Sequence, residues 1–200
     1  MIFRRSQPAR LYRDYTEYRP LLRRDFHYRC AYCLTHEYFV GGEAGCTIDH
    51  HRPLRGPHAR PDLLAAYTNL YWCCRECNEN KGETWPSPED YARGYRFLDP
   101  CQPEDDHDRH WQVLPDGTLG PLTPTGEYTI DRLKLWRPQL QHYRAWCQRL
   151  AIERHQLETL LQTKQLDAER RLGLERRLAE IAVWLAPPVF DRPRGHTLPQ

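Results

Sequence analysis

Residues 69–82 read NLYWCCRECNENKG, and this stretch decides how the rest of the chain must fold. Leu70, Tyr71 and Trp72 form a short apolar strand candidate, and the charged, amide-rich run that follows has the composition of a helix. Cys74-Arg-Glu-Cys77 sits at the junction, and a second pair of the same spacing, Cys30-Ala-Tyr-Cys33, lies well upstream. A single CxxC reads as readily as a redox pair. Two of them supply the four thiolates that a tetrahedral structural zinc site needs. Cys73 is a possible competitor as ligand, but only Cys74 has the two-residue spacing to Cys77. Cys46, Cys101 and Cys147 have no such partner and read as ordinary buried thiols.

Eight cysteines in 200 residues would suggest disulfides in a secreted protein. Met1 to Arg5, however, runs into charged sequence without the apolar stretch of a secretory signal, which predicts a reducing, cytoplasmic setting. There, closely spaced cysteines are metal ligands before they are bridges. No apolar run has the length of a membrane span. The formal net charge of +2 argues neither for nor against nucleic acid, because a phosphate backbone responds to local charge density. Charge is concentrated at the start, where Arg4, Arg5, Arg10, Arg13, Arg19, Arg23, Arg24 and Arg29 face only Asp14, Glu17 and Asp25. Such an end either tracks phosphates or is the solvated face of an amphipathic helix; Leu11, Tyr15, Tyr18, Leu22 and Phe26 have helical spacing.

The segment between the two cysteine pairs is longer than a compact zinc ribbon requires, so it must fold into something of its own. It contains CTIDHHRP, residues 46–53, a strand-like piece that sets a carboxylate beside two imidazoles. Strand, loop, strand and helix then follow in the order of a ββα-metal unit. Phosphodiester chemistry asks for a hard oxygen ligand to hold a divalent cation and a neutral imidazole to take a proton from water near pH 7. Asp49 and His50 are residues of those two types.

Together, CAYC, IDHHRP and NLYWCCRECNENKGE resemble the zinc-bearing branch of the HNH endonuclease family, over about residues 30–82. The resemblance implies that Cys30, Cys33, Cys74 and Cys77 hold a structural Zn2+. It implies that Asp49 ligates a catalytic Mg2+ or Mn2+, with Asn78 as second ligand where the family name has its final histidine. His50 would be the general base, and Asn69 would support the two strands and the base. Double-stranded DNA would be the substrate, leaving 5′-phosphate and 3′-hydroxyl ends. Lys81 would either meet a phosphate or be an exposed helix lysine, and Arg52 would reach substrate or remain solvated. His51 departs from the family pattern, in which an apolar or aromatic residue follows the Asp-His pair. Regular strand alternation would place Asp49 and His51 on one face and His50 on the other, whereas the resemblance requires the strand to bend. His51 then reads as a packed or phosphate-contacting imidazole.

Outward from this core, residues 87–129 are rich in proline and acid, with a PDG turn at Pro115–Gly117 between WQVL and TLGPL, and predict a loop-rich segment with one hairpin. Residues 130–188 have the periodicity of a helical hairpin, and 189–200 read as a flexible tail. With a basic N-terminal helix in 1–29 and the zinc-stapled core in 30–86, the expected class is α+β. The pattern beyond the core more weakly resembles small HNH subunits encoded beside an ATPase in anti-phage defence, such as Septu and some retron systems, which implies an ATPase partner held by the C-terminal helices. Two other readings compete: a non-catalytic zinc-dependent nucleic-acid-binding or scaffolding module, and an HNH nuclease that cuts RNA.

Overall fold

Leu70–Cys74 is buried along its whole length, which accounts for its unbroken apolar run. This strand, β2, pairs antiparallel with β1 (Cys46–His50), with Cys46 opposite Cys74 and His50 opposite Leu70. Helix α2 (Arg75–Lys81) begins at the next residue, with Cys74 as its N-cap. The computed structural model describes residues 1–163 and 165–187, and within them the architecture is α+β, with two small antiparallel sheets among helices. The predicted tail at 189–200 lies outside the described residues.

A two-stranded sheet is marginal by itself. Here α1 (Arg19–Asp25) packs on β2, and Trp72, Tyr71, Tyr18, Leu22 and Phe26 are all buried in one cluster. The long N-terminal helix expected from the spacing of Leu11 to Phe26 does not form. Asp14 caps a single 3-10 turn, Tyr15–Tyr18, and α1 starts only at Arg19. Pro20 explains the break, because it lacks an N–H and its ring would clash with the carbonyl four residues earlier in a continuous helix. The chain before Asp14 instead runs over the core. Phe3 is buried, its N–H donates to the Pro100 carbonyl (2.8 Å), and Ser6 donates to Asp25 through its N–H and its hydroxyl (2.6 Å each).

After α2 come α3 (Pro88–Ala92) and α4 (His107–His110), then β3 (Trp111–Val113) and β4 (Leu119–Pro121), paired antiparallel about the PDG turn with Gly117 at φ +85°. Helix α5 (Pro124–Arg132) follows, capped by Thr123, which also meets His110 Nδ1 at 2.6 Å. Helices α6 (Pro138–Thr163) and α7 (Ala168–Leu185) form the hairpin, held by the Arg177–Glu153 pair (2.7 Å) and the edge-on contact of Trp146 with Trp184. The hairpin reaches the core where Arg29 donates to the Leu185 carbonyl (2.8 Å) and Phe39 meets Tyr143, Trp146 and Trp184. Among the described residues no helix is long and apolar enough to cross a membrane.

Gly126 shows how closely α5 lies on α4: a Cβ there would stand 2.0 Å from the His110 carbonyl oxygen. Gly126→Ala must push these helices apart, and we expect it to lower unfolding stability by about 2 kcal/mol. Urea denaturation measures this, and an unchanged midpoint would mean that the α4–α5 contact is slack.

Candidate functional site

The first cysteine pair is shaped by a tight turn. Leu34 N–H returns to the Cys30 carbonyl (3.0 Å), Cys30 N–H donates to Thr35 (3.0 Å), and Leu34 takes the left-handed φ of 61°. Ala31 N–H donates to the Trp72 carbonyl (2.8 Å), which fixes this turn to β2. Cys74 ends β2, and Cys77 lies in the first turn of α2. The Sγ atoms of Cys30, Cys33, Cys74 and Cys77, all buried, lie within 4.8 Å of one another. Zinc–sulfur bonds of about 2.3 Å put tetrahedral sulfurs about 3.8 Å apart. Cys33 and Cys74 are separated by 3.8 Å, so the cluster fits a structural zinc.

The protein also prepares this cluster electrostatically. The Arg137 guanidinium, from the chain just before α6, lies 3.4 Å from Cys77 Sγ, where it offsets thiolate charge. Burial pushes the Cys30 thiol up, but hydrogen bonds with Cys33, Cys73, Cys74 and Cys77 outweigh it and hold Cys30 well below its ordinary value, while hydrogen bonds within the cluster push Cys33 and Cys77 well above theirs. Cys73 is buried 3.8 Å from Cys30 yet stands outside the gathered four, as expected from strand alternation beside Cys74. Among the described residues this is the one group of three or more His, Cys, Asp or Glu ligands so gathered.

The β1 edge of the unit holds the other residues singled out in the sequence. Asn69, just before β2, accepts from the Arg52 N–H through Oδ1 (2.8 Å) and donates to the Arg52 carbonyl through Nδ2 (3.1 Å). Its own carbonyl accepts from the His51 N–H (2.9 Å). This amide therefore clamps the backbone where the chain leaves β1. His50 points to the opposite side from Asp49: its Nε2 lies 2.9 Å from the Leu64 carbonyl, and its ring meets Tyr15 edge-on at 4.8 Å. A carbonyl only accepts, so this bond puts a proton on Nε2, and in the neutral ring Nδ1 then keeps a free lone pair.

Asp49 is buried, with a hydrogen-bond donor on each of its oxygens. The Tyr32 hydroxyl donates to Oδ2 (2.6 Å), and Lys81 Nζ donates to Oδ1 (3.0 Å) and to the His50 carbonyl (2.7 Å). Burial, with the Asp49 charge second, pushes the Tyr32 phenol well above its ordinary value, so it keeps the proton it donates. Lys81 is thus no exposed helix lysine; its side chain is wholly buried on the carboxylate. No hydrogen bond joins the Asn78 side chain to Asp49 among the described residues.

His51 lies on the Asp49 side, with Nδ1 3.4 Å from the Tyr32 hydroxyl and its ring stacked on Tyr71 at 4.8 Å. Regular alternation therefore holds, and the strand does not bend to bring Asp49 and His50 together. Arg52 lays its guanidinium 4.3 Å from the Trp85 ring centre. Of the N-terminal arginines, Arg5 is half-buried, with its guanidinium over Tyr71 and donating to the Tyr67 and Leu70 carbonyls, and Arg23 is buried against Glu37, so both are engaged within the fold. Tyr32 and Trp85, which the sequence reading passed over, are central to this face. The signal for Tyr32 was its place inside the first CxxC, where the turn that gathers the sulfurs also sends its ring inward.

No family model matches the chain, and neither curated proteins nor solved structures give a match.

The cage yields one prediction. Purified protein should carry one zinc per chain, Cys74→Ser should carry none, and stripping the metal should abolish near-UV circular dichroism, because structural zinc contributes about 10–16 kcal/mol in small zinc domains. Tertiary structure that survives complete zinc removal would detach the cage from the fold.

A second concerns pH. Burial holds the His51 imidazole down at about 4. An unfolded histidine titrates near about 6.5, so between these values the unfolded chain takes a proton that the folded chain refuses. The His51 contribution to stability is complete above about pH 6.5 and is lost as the pH falls toward 4, with a slope approaching about 1.4 kcal/mol per unit. His36, also held at about 4 by burial, adds a parallel slope. His51→Gln should flatten the urea midpoint between pH 6.5 and 4 relative to the wild type; parallel curves for the two proteins would show that His51 is not buried neutral.

Proposed function

We propose that this chain is an HNH-type endonuclease that hydrolyses phosphodiester bonds in DNA. One arrangement supports the reading above all: the Asn69 amide grips the backbone at the exit of β1, beside a His50 whose Nε2 is fixed on the Leu64 carbonyl. A partly exposed imidazole whose neutral form has its lone pair on Nδ1, with its orientation set by a backbone acceptor, is a general base in waiting. In the reaction a water oxygen bonds to phosphorus and its proton passes to His50 Nδ1. The bond from phosphorus to the 3′ oxygen breaks, and its electron pair leaves on that oxygen. The order of strand, strand and helix on a four-cysteine cluster, in which the HNH resemblance was read, supports the same conclusion.

The Mg2+ or Mn2+ that this reading assigns to Asp49 and Asn78 does not fit these side chains as they stand. Both Asp49 oxygens are engaged, and Lys81 already balances the charge. That observation favours a second reading, a zinc-dependent binding or scaffolding module in which Asp49 is a structural anion. The weaker resemblance to defence subunits proposes an ATPase partner at α6 and α7, for which Ile152, Leu172, Val183 and Trp184 supply exposed apolar surface.

Supercoiled plasmid and a structured RNA, each incubated with the chain in Mg2+ and in Mn2+, separate these readings. We expect plasmid nicking or linearisation, and a loss of about 10²- to 10⁴-fold in His50→Ala with zinc content intact. Equal rates in that variant would remove His50 from the chemistry. Cleavage of RNA alone would change the substrate, and no cleavage of either would favour the scaffold.

A further inference from the structure

Beyond the exit of β1 the chain builds a second feature that the nuclease reading leaves unused. Trp85, from the segment after α2, and Tyr91, on α3, lie nearly parallel with ring centres 6.3 Å apart, and Arg52 lies over Trp85. Two hollows share these three side chains. One, of about 470 Å³, reaches inward to His51, Asp99 and Glu104. The other, of about 330 Å³, runs outward past His58, Pro86 and Pro88. Tyr91 is 48% exposed, so the ridge between the hollows is open to a ligand.

The chemistry of the inner hollow selects what can enter. Arg96 is already paired with Asp105 through both its terminal nitrogens, one of them at 2.6 Å. Asp99 accepts from Tyr71 and from the Cys101 N–H through Oδ1 alone, which leaves Oδ2 open, and Glu104 is exposed. Asp99 Oδ2 and the Glu104 carboxylate are thus free acceptors for the amino groups of a nucleobase and repel a phosphate, and the Gln102 amide stands beside them. The ridge itself presents flat aromatic faces and a guanidinium, the surfaces on which unpaired bases stack. The Nε of Arg52 is buried and has no hydrogen-bond partner.

We infer that the Trp85–Tyr91–Arg52 ridge and its two hollows form a binding site for unpaired nucleobases of a DNA strand, with the inner hollow preferring bases that carry an amino group. The inference rests on the nuclease reading for the polymer it names, and it makes the substrate locally single-stranded. Duplex ends, gaps and flipped bases present such bases, and intact paired duplex does not.

Fluorescence anisotropy with 5′-fluorescein oligonucleotides tests this, without added Mg2+ or Mn2+. The probes are oligo-dC, oligo-dT, an abasic strand of equal length and the blunt duplex, with dCMP as competitor. We expect oligo-dC to bind more tightly than oligo-dT, and both more tightly than the abasic strand or the duplex. Trp85→Leu and Tyr91→Ala should each weaken oligo-dC about ten- to a hundred-fold. The exposed Tyr91 keeps the test valid if Trp85→Leu does not fold. Glu104→Gln should reduce the preference for dC over dT. Abasic strand binding as tightly as oligo-dC, or both ridge variants binding like wild type, would overturn the site. Displacement of oligo-dC by dCMP at concentrations no higher than those at which oligo-dC itself half-saturates the protein would assign the site to a free nucleotide instead. Plasmid cleavage with unchanged oligonucleotide binding in the variants would sink the site and spare the nuclease. Ridge-dependent binding without cleavage of any substrate would do the reverse.

Discussion

Convergence of four sulfurs is the constraint on which this molecule depends. Cys30 and Cys33 come from a turn after α1, while Cys74 and Cys77 span the join of β2 and α2. Gathering them closes a long loop, an entropic cost that a metal bond offsets more readily than a sheet of two short strands can. Ala31 on Trp72 and Arg137 on Cys77 then hold the cluster to β2 and to the chain before α6, while the buried Arg23–Glu37 pair ties α1 to the turn after the first cysteine pair. Charged residues this deeply buried persist because each has a partner; removing one side of such a pair leaves an uncompensated ion in the interior.

The spacing of the cysteines was legible because metal geometry leaves few choices, and it picked out the four of eight whose sulfurs gather. The PDG turn was legible for a similar reason: Gly117 at φ +85° meets a local need that shows in composition. The N-terminal helix failed because periodicity counts apolar positions and takes no account of the backbone, and Pro20 outweighs five well-spaced apolar and aromatic residues. The alternation of Asp49, His50 and His51 was readable as a rule of strands, yet the partners that give it meaning come from elsewhere in the chain. Tyr32 arrives from the first cysteine turn, Leu64 from the loop between the strands and Trp85 from beyond α2. Lys81 illustrates the limit most clearly. A lysine near a helix end reads as solvated on every local criterion, and only the tertiary approach of α2 to β1 buries it.

The two faces of β1 thus have different characters. The Asp49 and His51 side is aromatic and tightly hydrogen-bonded at the carboxylate, with Tyr32, Tyr71 and Trp85 packed about it. The His50 side carries an imidazole with one nitrogen fixed and the other free. Rigidity on the first side holds the backbone that presents the second, and the Asn69 amide is the stitch between them.

The contact between Lys81 and Asp49 carries a consequence for any ion that would reach this carboxylate. A divalent cation at the oxygen that Lys81 holds would meet the like charge of the ammonium, so its occupancy is opposed until the lysine swings away. The ion's apparent dissociation constant is raised by the inverse of the fraction of chains in which the lysine has swung away. Whatever favours the departed state, whether a polyanion drawing the ammonium outward or a partner tilting α2, would tighten ion binding without touching a ligand. A buried ion pair would in that case serve as a latch, coupling ion uptake to the arrival of the molecule that pulls on it.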